Sequence, residues 1–294
     1  MQTVESLKRR VHTAEGLHSL VRTMKALAAV NIRQLEHAVE SLADYKRTIE
    51  LGLRVVLQQQ GHSRITSRTA PQNSLGTIVF GSDQGMCGQL NDLIVTNALD
   101  HIRRFGAAGN RATLAVGARA GMRLEDAGEP LETTVPIASS TSGITPLVQD
   151  ILLHVDRWHR EQRIDRIVVF YCEHVSRAAY RPRCMELLPI DRRWLEQLQR
   201  TPWPTHILPM FTMDADQLFS SLVRQYLFVS LFRACAESLA SENASRLAAM
   251  RGAERNIGDQ IAELRNQFNQ TRQMAITEEL LDIAAGFEAL SQDD

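Results

Sequence analysis

The placement of proline divides this chain of 294 residues into three segments. All nine prolines lie between Pro71 and Pro209, so the 70 residues before them and the 85 after them contain none. Proline fixes the backbone and lacks an amide donor, so long helices are excluded from the middle but can run through both ends. We therefore predict a helix, a compact middle and a second helix, divided as 1–70, 71–210 and 211–294.

The first segment carries a heptad pattern. Apolar or small residues recur alternately four and three positions apart, and the pattern holds for about seven repeats, which favours a coiled coil over an ordinary amphipathic helix. The positions are Leu7, Val11, Ala14, Val21, Ala28, Ile32, Leu35, Val39, Leu42, Ile49, Leu53 and Val56.

The last segment repeats this spacing. Its positions are Ala236, Ala240, Asn243, Leu247, Met250, Ile257, Ile261, Leu264, Phe268 and Ala275. A helix over 216–289 would measure about 110 Å, so it should project from the rest of the chain. Each of these two rows of apolar or small residues forms a seam along its helix. The two seams predict that the end helices pack antiparallel on each other within one chain, with homodimeric pairing as the alternative. Polar seam residues such as Lys25 and Glu254 indicate either a rod that also contacts an outside partner or buried residues that set the register.

The middle alternates short β-branched runs with helical patterns, which predicts a mostly parallel, Rossmann-like three-layer α/β domain. The predicted strands are 77–80, 112–116 and 166–171, the predicted helices are 90–105 and 145–162, and 175–190 is an edge hairpin.

Composition excludes several classes of function. A formal net charge of -1 gives no overall attraction to nucleic acid or anionic lipid, although 1–35 has a local basic excess. Cys87, Cys172, Cys184 and Cys235 are widely spaced and form no metal-binding pattern, as expected in a reduced compartment. No apolar run reaches the roughly 20 residues needed to cross a bilayer. We expect no metal, no nucleic-acid partner and no membrane insertion.

A glycine-rich loop follows the first strand. Its key residues are Ser82, Asp83, Gly85, Cys87 and Gly88. A nucleotide-binding protein would place such a loop under phosphates, but the spacing matches neither common phosphate loop and an aspartate would repel phosphate. We predict a tight structural turn with an inert, buried thiol, although a nucleophilic cysteine remains the alternative.

Other polar groups are also candidate site residues. Asp165, Glu173 and Asp191 near strand ends are interpreted as caps and turns, so no catalytic residue is assigned. Small and polar residues at 240–246 and 271–280 predict a slim helix that offers donors to an encircling surface, or else a solvated face.

Three segments of the chain resemble the gamma subunit of F-type ATP synthases. They are RTMKALAAV at 22–30, SDQGMCGQLN at 82–91, and the tail stretches ASENASRLAAM at 240–250 and FNQTRQMAITEEL at 268–280. Gln84, Gln89, Phe268 and the stretch 29–32 depart from the family pattern. These departures favour a divergent branch, such as the alternative, sodium-translocating ATPases.

The resemblance implies a mechanical role without a cofactor or a catalytic site on this chain. The end helices would form a shaft inside a ring of alpha and beta subunits, at the cytoplasmic face of the bacterial inner membrane. The middle domain would meet the epsilon subunit and the membrane c-ring. Rotation would couple ion flow to ATP synthesis or hydrolysis.

The resemblance also implies roles for particular residues. Arg272 and Gln273 would bind an acidic catch loop of a catalytic subunit, with Thr277 and Glu278 close by. Met24, Lys25 and Arg246 would lie lower, at the mouth of the ring. Two other functions remain open from the residues alone: a coiled-coil adaptor, and a small α/β enzyme with helical dimerisation arms.

Overall fold

The computed structural model describes residues 3–60, 74–105, 109–176, 179–203 and 209–291. The elements follow one another as α1 (Val4–Gln60), β1 (Leu75–Phe80), α2 (Leu90–Phe105), β2 (Arg111–Val116), α3 (Ala118–Asp126), β3 (Thr133–Val135), α4 (Thr141–Glu161), β4 (Ile167–Ser176), β5 (Ala179–Leu188), α5 (Arg192–Arg200) and α6 (Ala215–Ser291). The two long helices and the α/β middle are therefore confirmed.

The chain divides into two compact units, of which the first combines Met1–Leu27 with Ala248–Asp294. Within it, α1 and α6 run antiparallel, since Glu15 accepts from Arg265 at 2.5 Å while Lys25 binds Glu254. Heptad positions Leu7 and Val21 are buried in this pair. The predicted antiparallel seam is confirmed in this unit.

The second unit is Ala28–Leu247 and contains the sheet. The strand order is β3-β2-β1-β4-β5, in which the first four strands are parallel and β5 is antiparallel to β4. Helices α2 and α3 cover one face of the sheet, while α4 and α6 cover the other. This is the predicted three-layer arrangement. The bounds of the predicted edge hairpin, 175–190, are wrong, because β4 extends to Ser176 and itself forms the hairpin with β5.

In this unit α1 packs beside α6 through the heptad positions. Ile49 and Leu53 are buried against Val229 of α6. The direction is again antiparallel, because Tyr45 donates to Gln225 at 3.0 Å and Asn31 lies 3.5 Å from Asn243.

Three short elements were not predicted: α3, β3 and α5. The strand β3 has only three residues, and α3 contains Gly121 in its interior. Such elements have little intrinsic stability and depend on tertiary packing, which local patterns do not reveal. The predicted seam also ends earlier than expected, because Ala275 is exposed.

Candidate functional site

Residues 272–285 are the last residues of α6 whose side chains the structure describes, and we call them the tip segment. Every residue in it is exposed, including Arg272, Gln273, Thr277 and Glu278. The seam residues just before it, Phe268 and Thr271, are half-buried.

Large apolar side chains are prominent on the tip segment. Met274, Ile276, Leu280, Leu281 and Ile283 are each between 47% and 65% exposed. Helical spacing places Met274 and Leu281 on one side of α6 and Ile276, Leu280 and Ile283 on the opposite side. A solvated helix gains nothing by carrying so many exposed apolar groups, so they favour an interaction surface around this part of α6. Sequence reasoning selected the polar residues of this segment but did not single out the apolar ones.

Lys25 is placed in the helix seam of the first unit. Its ammonium group donates to the Glu254 carboxylate, and Arg22 lies 3.9 Å from the same group. The hydrogen bond from Lys25 lowers the pKa of Glu254 below its usual value. This pairing agrees with the register-setting interpretation of the polar seam residues. Met24, the preceding residue, is half-buried.

The glycine-rich loop between β1 and α2 is held by its own side chains. Asn91 accepts from the Ser82 amide at 3.0 Å and donates to the Ser82 hydroxyl at 2.8 Å. The hydroxyl in turn donates to the Gln84 carbonyl at 2.9 Å. The Cys87 thiol is buried, with Ser82, Gln84 and Asn91 as its neighbours.

Asp83 ties this loop to two other segments. One carboxylate oxygen accepts from the amide of Ala118, the first residue of α3, at 2.8 Å, and the other accepts from the amide of Ile137 at 3.0 Å. The N-cap residue of α3 is Gly117, which has no side chain to cap the helix, so Asp83 supplies the missing acceptor. A negative charge is also favourable at a helix N-terminus.

Helix α6 contacts the same loop. The Ser245 hydroxyl donates to the Cys87 carbonyl at 2.5 Å, and the Ser241 hydroxyl lies 2.8 Å from the Cys172 carbonyl of β4. The loop follows the carboxyl end of β1, which lies next to β4 in the sheet. In open α/β folds ligands bind outside the carboxyl ends of the strands. In this chain a helix of the same protein lies there, beside β1 and β4.

Arg246 lies beside this contact and is only 12% exposed. It donates to Glu242 at 2.6 Å, one turn earlier on α6. Burial raises the pKa of Glu242 above its ordinary 4.5, although the positive charge of Arg246 acts in the opposite direction. Residues 240–245 are buried, so the prediction that they face an encircling surface is wrong. They pack against the protein's own α/β domain.

The structure thus divides the residues singled out in the sequence among three places. The tip segment holds Arg272, Gln273, Thr277 and Glu278, the first unit's seam holds Lys25, and the glycine-rich loop holds Ser82, Asp83, Gly85, Cys87 and Gly88. Sequence reasoning missed Ser241 and Ser245 as contacts. Their spacing of four on one helix, within a run of small residues, was the available signal.

The other carboxylates behave as caps or ion pairs. Asp191 caps α5 by accepting from the Arg193 amide at 2.8 Å, and Glu173 binds Arg181 and Arg183. Within the described residues no cluster of three or more potential metal ligands occurs. Nor, in the same part of the chain, is any helix long and apolar enough to cross a membrane.

The fold and these sites define a class of protein: a pair of long helices with an exposed tip, into which an α/β domain is inserted. The family model described as ATP synthase matches residues 3–290. This chain therefore belongs to the ATP synthase family.

Similar proteins agree with this membership. The chain is 26% identical to the ATP synthase gamma chain of Nostoc punctiforme and 27% identical to that of Nostoc sp., with 99% of this chain and 100% of each relative covered. Among solved structures, a chain of Euglena gracilis mitochondrial ATP synthase is 19% identical, with a TM-score of 0.61 over 98% of this chain and 94% of that one. A chain from the central stalk and c-ring of the Tetrahymena thermophila enzyme has a TM-score of 0.54, covering 80% and 99%.

Proposed function

We propose that this chain is the gamma subunit of an F-type ATP synthase, the central shaft whose rotation couples transmembrane ion flow to ATP synthesis or hydrolysis. Its partners are the alpha and beta subunits of the catalytic head, the epsilon subunit and the membrane c-ring. It works as a peripheral component at the cytoplasmic face of the bacterial inner membrane. The relatives that match almost the whole chain are named ATP synthase gamma chains, which supports this assignment.

The observation that carries the proposal is the tip segment. A helix end that exposes Met274, Ile276 and Leu280 needs an apolar partner surface in the functional state. A sleeve formed by the head subunits would bury these side chains and still allow the slim helix to turn, because apolar contacts are non-directional.

Polar groups on the tip segment supply contacts that depend on orientation. Arg272 and Gln273 are exposed donors, suited to an acidic loop of a catalytic subunit, and Thr277 and Glu278 follow one turn later. Met24 and Lys25 are partly accessible and would meet the mouth of the ring. Arg246 offers little accessible surface for the same role, since its guanidinium group is directed to Glu242.

The chain has no catalytic site of its own in this proposal. Ligands of α/β enzymes bind at the carboxyl edge of the sheet, and in this chain Ser241 and Ser245 of α6 lie against that edge, beside the carbonyls of Cys172 and Cys87. Catalysis then resides in the head. The shaft acts by changing the relative free energies of the conformations of the catalytic subunits as it turns.

Single-molecule rotation tests the proposal. Of the four cysteines, Cys184 on β5 is exposed while Cys87, Cys172 and Cys235 are buried, so Cys184 can carry a fluorescent or bead label. With the head immobilised, we expect the label to rotate in one direction when ATP is supplied. A complex that contains the labelled chain and hydrolyses ATP with a stationary label would refute the shaft assignment.

The contacts of the tip segment are tested by Arg272→Ala combined with Gln273→Ala. We expect the complex to assemble while ATP-driven ion pumping per ATP hydrolysed falls, because charge-assisted hydrogen bonds to the catalytic subunit are lost. The matched control is Arg255→Ala with Gln260→Ala, which removes another exposed arginine and glutamine from the same helix. Unchanged hydrolysis and pumping in the tip variant would remove Arg272 and Gln273 from the site.

A further inference from the structure

One stretch of α6 is buried on every side. All residues from Ala234 to Ser245 are buried, whereas a helix on a protein surface keeps one face in water. Most of them are alanine, serine or cysteine, and such small side chains let the backbone of the helix approach its neighbours closely. This stretch, which we call the buried stretch, lies within the second unit together with the sheet.

Two serine hydroxyls of the buried stretch cross to the α/β domain. The Ser241 hydroxyl lies 2.8 Å from the carbonyl of Cys172 in β4 and 2.8 Å from the carbonyl of Glu237 in its own helix, and Ser245 donates to the carbonyl of Cys87 in the loop after β1. The carbonyls of Cys172 and Cys87 belong to different segments of the domain. Two separated contact points resist rotation of the helix against the domain, which a single contact point would not do.

The glycine-rich loop is shaped to allow this approach. Gly88 has a φ of +59°, and a Cβ at this position would meet the Ser245 hydroxyl at 3.0 Å. A Cβ on Gly85, in the same loop, would have nothing within 4 Å. The loop cannot easily retreat, because Asp83 and Asn91 fix it to α3, to Ile137 and to itself.

We propose that this contact is the torque-bearing joint of the rotor: the α/β domain holds the shaft helix α6 through Ser241, Ser245 and the Gly88 turn. Torque applied to the domain then passes into α6 without slip. This inference rests on the proposed function, since only a rotating shaft carries torque. It assigns a mechanical role to the carboxyl edge of the sheet, where many α/β enzymes bind ligands.

The test uses the complete complex, reconstituted in vesicles, with two joint variants of different severity. Ser241→Ala combined with Ser245→Ala removes the two hydroxyl donors, while Gly88→Val inserts a side chain between the loop and α6. The matched controls are Ser220→Ala combined with Ser221→Ala, at exposed positions of α6, and Gly85→Ala in the open part of the loop. Ions moved per ATP hydrolysed, and the slowing of hydrolysis by an opposing ion gradient, are both measured.

We expect the serine variant to move at least about twofold fewer ions per ATP, because each lost neutral hydrogen bond lowers the equilibrium constant for closing the joint roughly fivefold. ATP hydrolysis by this variant should no longer be slowed by the opposing ion gradient. The gradient resists rotation of the domain, and a slipping joint does not transmit this resistance through α6 to the catalytic subunits. Gly88→Val should show the larger loss, and both controls should match the unmodified chain. A merely structural role would lower the melting temperature or the yield of complex without changing the ratio of ions to ATP.

Two other outcomes separate this inference from the proposed function. If the unmodified complex pumps ions and both joint variants pump and respond to the gradient equally well, the joint assignment is overturned and the shaft role stands. If the unmodified chain assembles into a hydrolysing complex that never moves ions, the shaft role fails and the joint fails with it.

Discussion

Replacing Asp83 by alanine should destabilise the α/β domain through two identifiable backbone amides. The carboxylate accepts from the amides of Ala118 and Ile137 at 2.8 and 3.0 Å, and both amides lose this acceptor in Asp83→Ala. A hydrogen bond to a charged group contributes about 1.5–3 kcal/mol, and water can partly replace the one at the exposed helix start. We therefore expect a loss of about 3 kcal/mol in the free energy of unfolding.

Hydrogen exchange of the complete chain measures this effect at the two amides that lose their acceptor. The amides of Ala118 and Ile137 should lose protection first, and Asp83→Asn, which keeps one acceptor oxygen, should lose about half as much stability. Asp100→Asn is the control, since Asp100 is exposed on α2. If Asp83→Ala costs no more than the control, or if the two amides keep their protection, the carboxylate does not anchor the loop.

Three further predictions concern charge and packing. Burial raises the pKa of Glu242 in the folded state, so the stability that this group contributes at low pH is lost as pH rises from its ordinary 4.5 through the raised pKa. Glu242→Gln should therefore flatten the dependence of the free energy of unfolding on pH in that window. An unchanged slope would contradict this prediction. Lys25→Glu should lower the melting temperature, because it places two negative charges together in the helix pair. Adding Glu254→Lys should restore the melting temperature. If it does not, the two groups act independently. Leu53→Ala should lower the free energy of unfolding by about 2–5 kcal/mol, because Leu53 is fully buried. Leu17→Ala should lower it by less than about 0.5 kcal/mol, because Leu17 is exposed. Equal losses would refute the packing of Leu53 between α1 and α6.

The long elements were predictable because their signals are local and repeated. Heptad positions such as Ile32, Leu35 and Ile49 are all buried, and α2 begins and ends where its pattern indicated. Repetition over many turns averages out single exceptions, which is why proline placement and spacing sufficed for the architecture.

The contacts of the middle domain with α6 were less accessible to sequence reasoning. The stretch 240–245 has the same small and polar composition whether it faces a ring of other subunits or the protein's own sheet. Which of the two occurs depends on how α6 packs beside β1 and β4, and this is a tertiary property. The loop residues Asp83 and Asn91 were recognised as a turn, but their partners at 118, 137 and 82 were not predictable from spacing.

The separation of the paired helices along the chain has a consequence for folding during synthesis. Lys25 and Glu254 are 229 positions apart, and Glu15 and Arg265 are 250 apart. From residue 60, where α1 ends, the ribosome must add 155 residues before α6 begins. At roughly 5–20 residues per second, the apolar side of α1 waits roughly 10–30 s for its partner. Chaperones that shield apolar helices should therefore associate with nascent chains of this protein until α6 has emerged.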